Sequence, residues 1–566
     1  MLSSLLVPLT VAAMGAVAPP DGIRFTDITK DSGLDVTMTS GGTPSTQILE
    51  VKGGGLALID YDNDGDFDLF VPNGATLADT ERGPGARLFR NDSTPGAIRF
   101  VDVTAASGIA HTRWSFGSAV GDIDGDGFDD LVIACYGPNV VLRNKGDGTF
   151  EDISAASGIR GNAETRKWST AAALADIDAD GDLDLYLVNY LEFDAASNPP
   201  RANFRGLQVI PGPKGFTGQA DRLYRNDGKG VFTDITESSG IGKAPPSYGL
   251  NVAVLDLSGD GKPDIFVGND SQKNFLFINR SADGTIAFDE VGLRAGIATN
   301  MEGLEQATMG IGIADVDGNG RADVFTTNFS SDTNTLHLNL DGKFFDDRTA
   351  QFNLAAVSRP LVGWAPGFFD FDHDGDEDLL VVNGHVYPQA SKQSMDSEYE
   401  QRPLLMERRG KRFEPLASAG AWTLEPRRDR TALFADLDRD GDVDILIGEL
   451  NGRVRVIRND HALADAPQKD WIVVVPRDVR PGVGNRHAVG SLLTVRTTGA
   501  DGKELTQRRW LWGGGPFMSN LAPEFHVGIP AGTTAIAVEL TWPDGTKASR
   551  EKVAPGERLV IERAAK

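Results

Sequence analysis

One nine-residue pattern occurs seven times and constrains this chain more than any other feature. Its first copy is Asp60-Tyr61-Asp62-Asn63-Asp64-Gly65-Asp66-Phe67-Asp68, with carboxylates at positions 1, 3, 5 and 9 and glycine at position 6. Alternate residues of a tight loop converge their oxygens on one point, and the glycine permits the sharp turn, so the pattern is a cage for a hard cation. The second and third copies place Asp122, Asp124, Asp126 and Asp130, then Asp176, Asp178, Asp180 and Asp184. The sixth and seventh place Asp370, Asp372, Asp374 and Asp378, then Asp436, Asp438, Asp440 and Asp444. The fourth (Asp256, Ser258, Asp260, Asp264) and the fifth (Asp315, Asp317, Asn319, Asp323) each exchange one carboxylate for another oxygen, which predicts weaker sites. Calcium, up to seven ions, is the cofactor these loops imply.

An EF-hand also begins D-x-D-x-D-G, but it needs a bidentate Glu at position 12 and flanking helices. Position 12 here reads Val71, Ile133, Leu187, Val267, Thr326, Val381 and Ile447. Those are strand formers, so the EF-hand is rejected. Successive copies start 54 to 80 residues apart, which excludes tandem nonapeptide β-helix repeats.

Around each loop the chain repeats four short β signals. An apolar run of small residues precedes the loop (Thr170 to Leu174) and a β-branched or aromatic run follows it (Leu185 to Val188). A third strand ends in Arg-Asn (Arg90-Asn91, Arg225-Asn226), and a Gly/Asp turn leads to a fourth (Phe232 to Thr236). Four antiparallel strands repeated seven times predict an all-β, seven-bladed β-propeller over residues 23–459. A copy of the fourth strand, Phe25 to Thr29, precedes the first loop, while the seventh loop is followed by two strands only. The N-terminal strand is therefore expected to close the last blade and remove two open edges. Residues 460–470 read as a polar linker, and residues 471–566 as a small β-rich, sandwich-like domain with turns at Gly499 to Gly502 and Pro543 to Gly545.

Seven divalent ions would offset more than half of the net charge of −26, and a surface this acidic argues against nucleic acid as a partner. Residues 1–18 are apolar and end in small residues, as a secretory signal peptide does. No later run is long enough to span a bilayer. The single cysteine, Cys135, cannot form an internal disulfide and reads as a structural thiol. Weak calcium loops need millimolar calcium, so the expected address is secreted or periplasmic.

These loops resemble the FG-GAP (or VCBS) repeats of integrin α-chain propellers. The C-terminal part resembles an ASPIC/UnbV domain through Gly484-Asn485-Arg486, Gly513-Gly514-Gly515, Ser519, Phe525-His526-Val527-Gly528 and Trp542-Pro543-Asp544-Gly545. Together they resemble the cartilage acidic protein family, in a bacterial-type member without the cysteine-rich module of vertebrate ones. The resemblance implies the propeller fold, integrin-like calcium loops and export.

Hairpins alternate ends, so the connections opposite the metal loops carry the long insertions, 190–221 and 384–403. Trp114, Trp168 and Tyr248 stand eight residues before their loops and Trp364 six, which predicts an aromatic arc at the pore mouth on that face. His111, Arg113, His385 and Tyr387 are expected beside it. Such an arc suits a glycan or an aromatic ligand; alternatively the rings fill the channel axis. The leading functional expectation is a binding, adhesion or extracellular interaction module presenting that face to a glycan, matrix or protein ligand. The alternative is an enzyme with its site at the pore mouth, acting on a polysaccharide or secondary metabolite through His111, His385 and Glu302 or Glu305. The basic run Arg408 to Arg412 reads as a solvated hairpin.

Overall fold

A computed structural model describes residues 23–159, 167–461 and 470–564. Segment 1–18, expected to be a signal peptide, and most of the expected linker lie outside the described residues. Among those residues the architecture is all-β, a β-propeller followed by a second β domain, and the helices are single turns.

The described residues between 25 and 459 form six four-stranded antiparallel sheets and a seventh, around Gly249–Leu255, whose four strands are extended to six by Gln306–Ala307 and by Gly513–Gly514 of the terminal domain. The third is representative, with strands Ser169–Ala175, Asp184–Asn189, Arg222–Asn226 and Phe232–Asp234. Its first strand is built of small residues because it runs beside its neighbours at the crowded centre. A Cβ added to Gly117, in the second sheet's first strand, would lie 2.7 Å from Thr170 O in the third. Apolar side chains between adjacent sheets form the core, and one cluster joins Leu56 and Leu58 of the first sheet to Leu433 and Leu446 of the last. Strand Phe25–Asp27 pairs antiparallel with Val454–Asn459, with Phe25 opposite Asn459.

A circular set of hydrogen bonds links each sheet to the loop before it. The Asn that ends a third strand donates its side-chain amide to the position-2 carbonyl of the preceding loop. The pairs are Asn144 to Tyr61, Asn226 to Ile123, Asn279 to Ile177, Asn339 to Leu257, Asn459 to Phe371 and Asn91 to Leu437, at 2.8–3.2 Å. In the sixth sheet Arg408 takes this place and donates to Val316 O. The set returns to its start, because Asn91 of the first sheet reaches the seventh loop. The rest of the basic run is the turn of a hairpin between Leu404–Arg409 and Arg412–Pro415.

The terminal domain has a three-stranded sheet (Phe525–Gly528, Trp471–Asp478, Glu557–Arg563) and a four-stranded one (Glu504–Trp510, Leu492–Gly499, Thr533–Thr541, Lys547–Glu551). Ile472, Val474, Leu493, Val495, Phe525 and Val538 share one core between them. From this domain residues 513–520 enter the centre of the propeller. Gly513 and Gly514 pair with Val254 and Ala253. Ile311 N–H donates to Pro516 O at 2.9 Å, and Leu58 N–H to Asn520 O at 3.2 Å. Thr431 Oγ lies 2.6 Å from Ser519 Oγ. A side chain at Gly55 would collide with Met518 O at 1.7 Å, so both the glycine-rich segment and the small first strands serve this close approach.

Candidate metal centres and the opposite face

All seven loops adopt one conformation. The backbone is left-handed at position 6, always Gly, and also at position 4, where Asn63, Ala179, His373 and Arg439 accept φ of 57–63°. Position 4 was not visible as special in the sequence, since only three copies carry Gly there. A left-handed non-Gly residue costs on the order of 1 kcal/mol, which the loop's hydrogen bonds must offset.

Those bonds divide the labour among the aspartates. The position-1 carboxylate accepts the position-6 N–H, as Asp122 does from Gly127 at 2.7 Å. The position-9 carboxylate accepts two backbone N–H groups, one from position 2 and one from the third strand. Asp130 takes Ile123 N–H at 3.0 Å and Asn144 N–H at 2.7 Å, and the other six loops repeat the pair. Position 9 thus locks loop to sheet while remaining beside the cage. In at least four loops three carboxylates bring oxygens within 4.8 Å of one another: Asp60/Asp62/Asp68, Asp122/Asp124/Asp130, Asp176/Asp178/Asp180 and Asp315/Asp317/Asp323.

Such clusters repel themselves. Burial, with neighbouring aspartates adding, pushes the Asp184 carboxyl up to about 8, and burial raises Asp68 and Asp130 to about 9 despite their backbone donors. Buried oxygens of Asp62, Asp176, Asp178, Asp315, Asp372, Asp436 and Asp438 meet no hydrogen-bond donor. A buried carboxylate oxygen without a donor costs several kcal/mol unless a cation takes its lone pairs, so the residues fit calcium. In loop four Ser258 Oγ points to Asp256 Oδ1 at 3.4 Å, and in loop five Asn319 Oδ1 accepts Arg321 N–H at 2.9 Å, as the aspartates at that position do.

The terminal domain docks on this metal-loop face. It carries 13 Lys and Arg against 9 Asp and Glu over residues 471–566, on a chain of net −26. Arg477 approaches Asp60 and Arg508 approaches Asp315, both at 3.6 Å. His487 Nε2 lies 2.8 Å from Asp129, and Arg509 Nε 3.0 Å from Glu377. Asp129 and Glu377 occupy position 8, which is apolar in the other five loops; that departure is the sequence signal of the docking contact.

On the opposite face the expected aromatic set comes together but does not line an open mouth. Trp114, Trp168 and Trp364 are 0 % exposed, as is His385. Trp114, Phe116, Trp168, Tyr190 and Tyr248 form a run of ring contacts with centroids 4.8–6.4 Å apart. Trp364 packs on Phe517 of the inserted segment at 5.0 Å, beneath the Arg430 guanidinium. The two insertions meet above: Phe204 lies 5.8 Å from Tyr387, and Arg205 donates to Met395 O at 2.6 Å. The expectation of an open arc missed this roof, because an insertion's length does not reveal where it folds.

The polar neighbours are engaged. His111 Nε2 lies 2.6 Å from Ser115 Oγ, Arg113 pairs with Glu81 at 2.7 Å, and His385 Nε2 lies 3.2 Å from Ser330 Oγ. Cys135 Sγ lies 3.8 Å from His111 Nε2, a neighbour the sequence did not reveal. Burial pushes the thiol up to about 12 and the imidazole down to about 4, so the pair stays neutral. Glu302 and Glu305 are exposed, unlike His111 and His385. Sequence reading also missed a buried triad: Lys52 Nζ lies 2.8 Å from Asp270 Oδ2, which accepts Tyr190 O–H at 2.6 Å.

Comparison with known proteins accords with this geometry. The FG-GAP-like repeat model matches residues 122–187, 215–267, 256–326 and 315–381, and the ASPIC and UnbV model matches residues 482–566. Cartilage acidic protein 1 of Mus musculus is 26% identical over 532 residues, covering 90% of this chain and 73% of that protein. The Xenopus tropicalis protein of the same name is 25% identical over 526 residues, covering 89% and 72%. Among solved structures, the Dos1 propeller covers 77% of this chain and 93% of its own at 7% identity, with a TM-score of 0.37. No helix among the described residues is long and apolar enough to cross a membrane. The chain thus carries FG-GAP-like repeats followed by an ASPIC and UnbV domain, and along most of its length it is similar to cartilage acidic protein 1.

Proposed function

We propose that the protein is an exported, calcium-rigidified propeller of seven blades, closed by its N-terminal strand, that works as an extracellular interaction module. Seven sheets, the pairing of Phe25–Asp27 with Val454–Asn459, and the circular hydrogen bonds support the blade count and the closure. Two sheets around one core support a sandwich-like terminal domain. The carrying observation is the set of buried, donor-free carboxylate oxygens in the loops. Each ion would sit among positions 1, 3, 5 and 9, remove the repulsion between them and pin the hairpin. Calcium is structural in this reading.

The terminal domain covers the metal-loop face, which leaves the opposite face for a partner. A glycan, matrix or protein ligand would rest on the roof formed by 190–221 and 384–403, with the buried aromatic set beneath holding that roof rigid. Elemental analysis of protein purified in calcium should approach seven ions per chain. A calcium-free protein whose melting is indifferent to EDTA would end the calcium reading. Glycan and matrix-protein arrays test the face: binding should vanish when the hairpin Ala202–Val209 is replaced by a short Gly/Ser turn. Binding unchanged by that replacement would move the ligand elsewhere.

A further inference from the structure

Beside the sixth loop, three side chains from separate parts of the chain meet. His373 is position 4 of that loop, His461 follows the last propeller strand, and Asp470 precedes the first strand of the terminal domain. His373 Nδ1 lies 2.8 Å from Asp470 Oδ1, and His461 Nε2 lies 3.4 Å from Asp470 Oδ2. The two imidazoles stand nearly perpendicular, centroids 4.9 Å apart, and one ligand atom from each of the three residues lies within 4.8 Å of the others.

Two imidazole nitrogens and a carboxylate oxygen are a donor set for zinc and its neighbours; calcium takes oxygen alone. Ligands held about 2.0–2.1 Å from a tetrahedral ion lie roughly 3.3 Å from one another. The separations of 2.8 and 3.4 Å stand on either side of that value, so small side-chain adjustments admit the ion. The surroundings also suit it. His373 Nε2 is fully buried, has no hydrogen-bond partner, and faces the Asp442 carboxylate at 3.9 Å. A metal on Nδ1 places the ring proton on Nε2, directed at that carboxylate, which is the outer arrangement metal-bound histidines use. His526 lies against His373 at 5.3 Å with its own Nε2 given to Gly441 O at 2.6 Å, and Trp471 stacks on His526 in turn. These rings wall the site on the side of the terminal domain.

The geometry points to a zinc-class metal site formed by His373, His461 and Asp470, separate from the carboxylate cages of the seven loops, that fastens the terminal domain to the propeller. Three protein ligands leave a fourth position for solvent. The site uses none of the position-1, 3, 5 or 9 oxygens, so it stands whether or not the loops hold calcium.

The test uses the full chain in millimolar calcium, which keeps the hard-cation loops saturated. Zn²⁺ alone is titrated by calorimetry, and Co²⁺ alone by visible absorption. One equivalent of each is expected, with the intense d–d bands of four-coordinate cobalt and a zinc-dependent rise in melting temperature. His461→Ala and Asp470→Asn should each weaken Zn²⁺ binding by more than about 100-fold, beyond the loss of a mere outer partner. Both should retain the calcium content of the parent. No uptake at equimolar zinc by the parent overturns the proposal, because a bare His–Asp–His hydrogen-bonded clamp would then suffice. Uptake left intact in both variants overturns it too. Should His461→Ala fail to fold, the isosteric Asp470→Asn decides alone.

Discussion

The fourth and seventh loops share one nine-residue pattern and one backbone path, yet their surroundings differ. In the fourth, Gly259, Asp260 and Gly261 stand in solvent. In the seventh, Asp436, Asp438, Asp442 and Asp444 are buried under the terminal domain, where a Cβ on Gly441 would strike the Trp471 ring at 1.8 Å. Burial raises the Asp256 carboxyl, and the amides of Gly261 and Gly259 hold the rise in check. Burial drives Asp436 well above its ordinary range, with Glu524, Asp440 and Asp438 adding like charge. The difference teaches that nine residues decide the shape of a loop, while the covering decides how far its carboxylates are desolvated.

The coarsest way to break that comparison is to remove every ion. An ion present at a hundredfold over its Kd stabilises by about 2.7 kcal/mol, so several loops together match a typical domain's whole stability. EDTA should lower the melting temperature by more than about 10 °C in a thermal scan. Next comes the direct contrast. In calcium, Asp436→Asn should cost about 3 kcal/mol by chemical denaturation, and Asp256→Asn no more than about 1. Equal costs would mean that the cover is irrelevant.

Acidity separates the two states of the loops. Without calcium, a carboxyl pushed up to about 7 (Asp264), 8 (Asp323) or 9 (Asp68) binds its proton more tightly folded than unfolded. Stability in EDTA should therefore fall as pH rises from about 4, the unfolded carboxylate value, to about 9. With calcium bound the ligands are held ionised and the slope reverses, so acid destabilises; parallel pH profiles with and without calcium would sink this account. Smaller still, Asn279→Ala and Asn459→Ala should each cost about 1–2 kcal/mol, because both orphan a buried loop carbonyl whether or not the loop above is covered. The mildest change, Ser258→Asp, should raise calcium occupancy of the open loop with a gain of at most about 0.5 kcal/mol, seen as a small rise in melting temperature.

The repeat, the strand order and the acidic loops were legible because spacing alone carries them. The Arg-Asn ending of the third strand was legible as a pattern but not as a cause, since nothing in one repeat shows that Asn226 reaches the loop of another. The side of the ring that the terminal domain covers was not legible either. Its traces, Asp129 and Glu377 in an otherwise apolar slot and Gly513-Gly514-Gly515, acquire meaning only once His487, Arg509 and the first strands lie beside them. The aromatic residues were read as a set, and they do pack together, but their exposure was misjudged because burial there depends on distant insertions. His461 and Asp470 flank a polar stretch that offered no reason to connect either with His373.

Residues 513–520 leave the ribosome after every sheet of the ring has been made. Until they arrive, the first strands enclose a hollow whose backbone at Gly55 and Gly310 awaits Met518 and Pro516. The nascent ring has no axle, and its completion comes late in synthesis. A premature stop between residues 471 and 512 would therefore not delete one module and spare another: it would leave the ring without the segment that fills its centre.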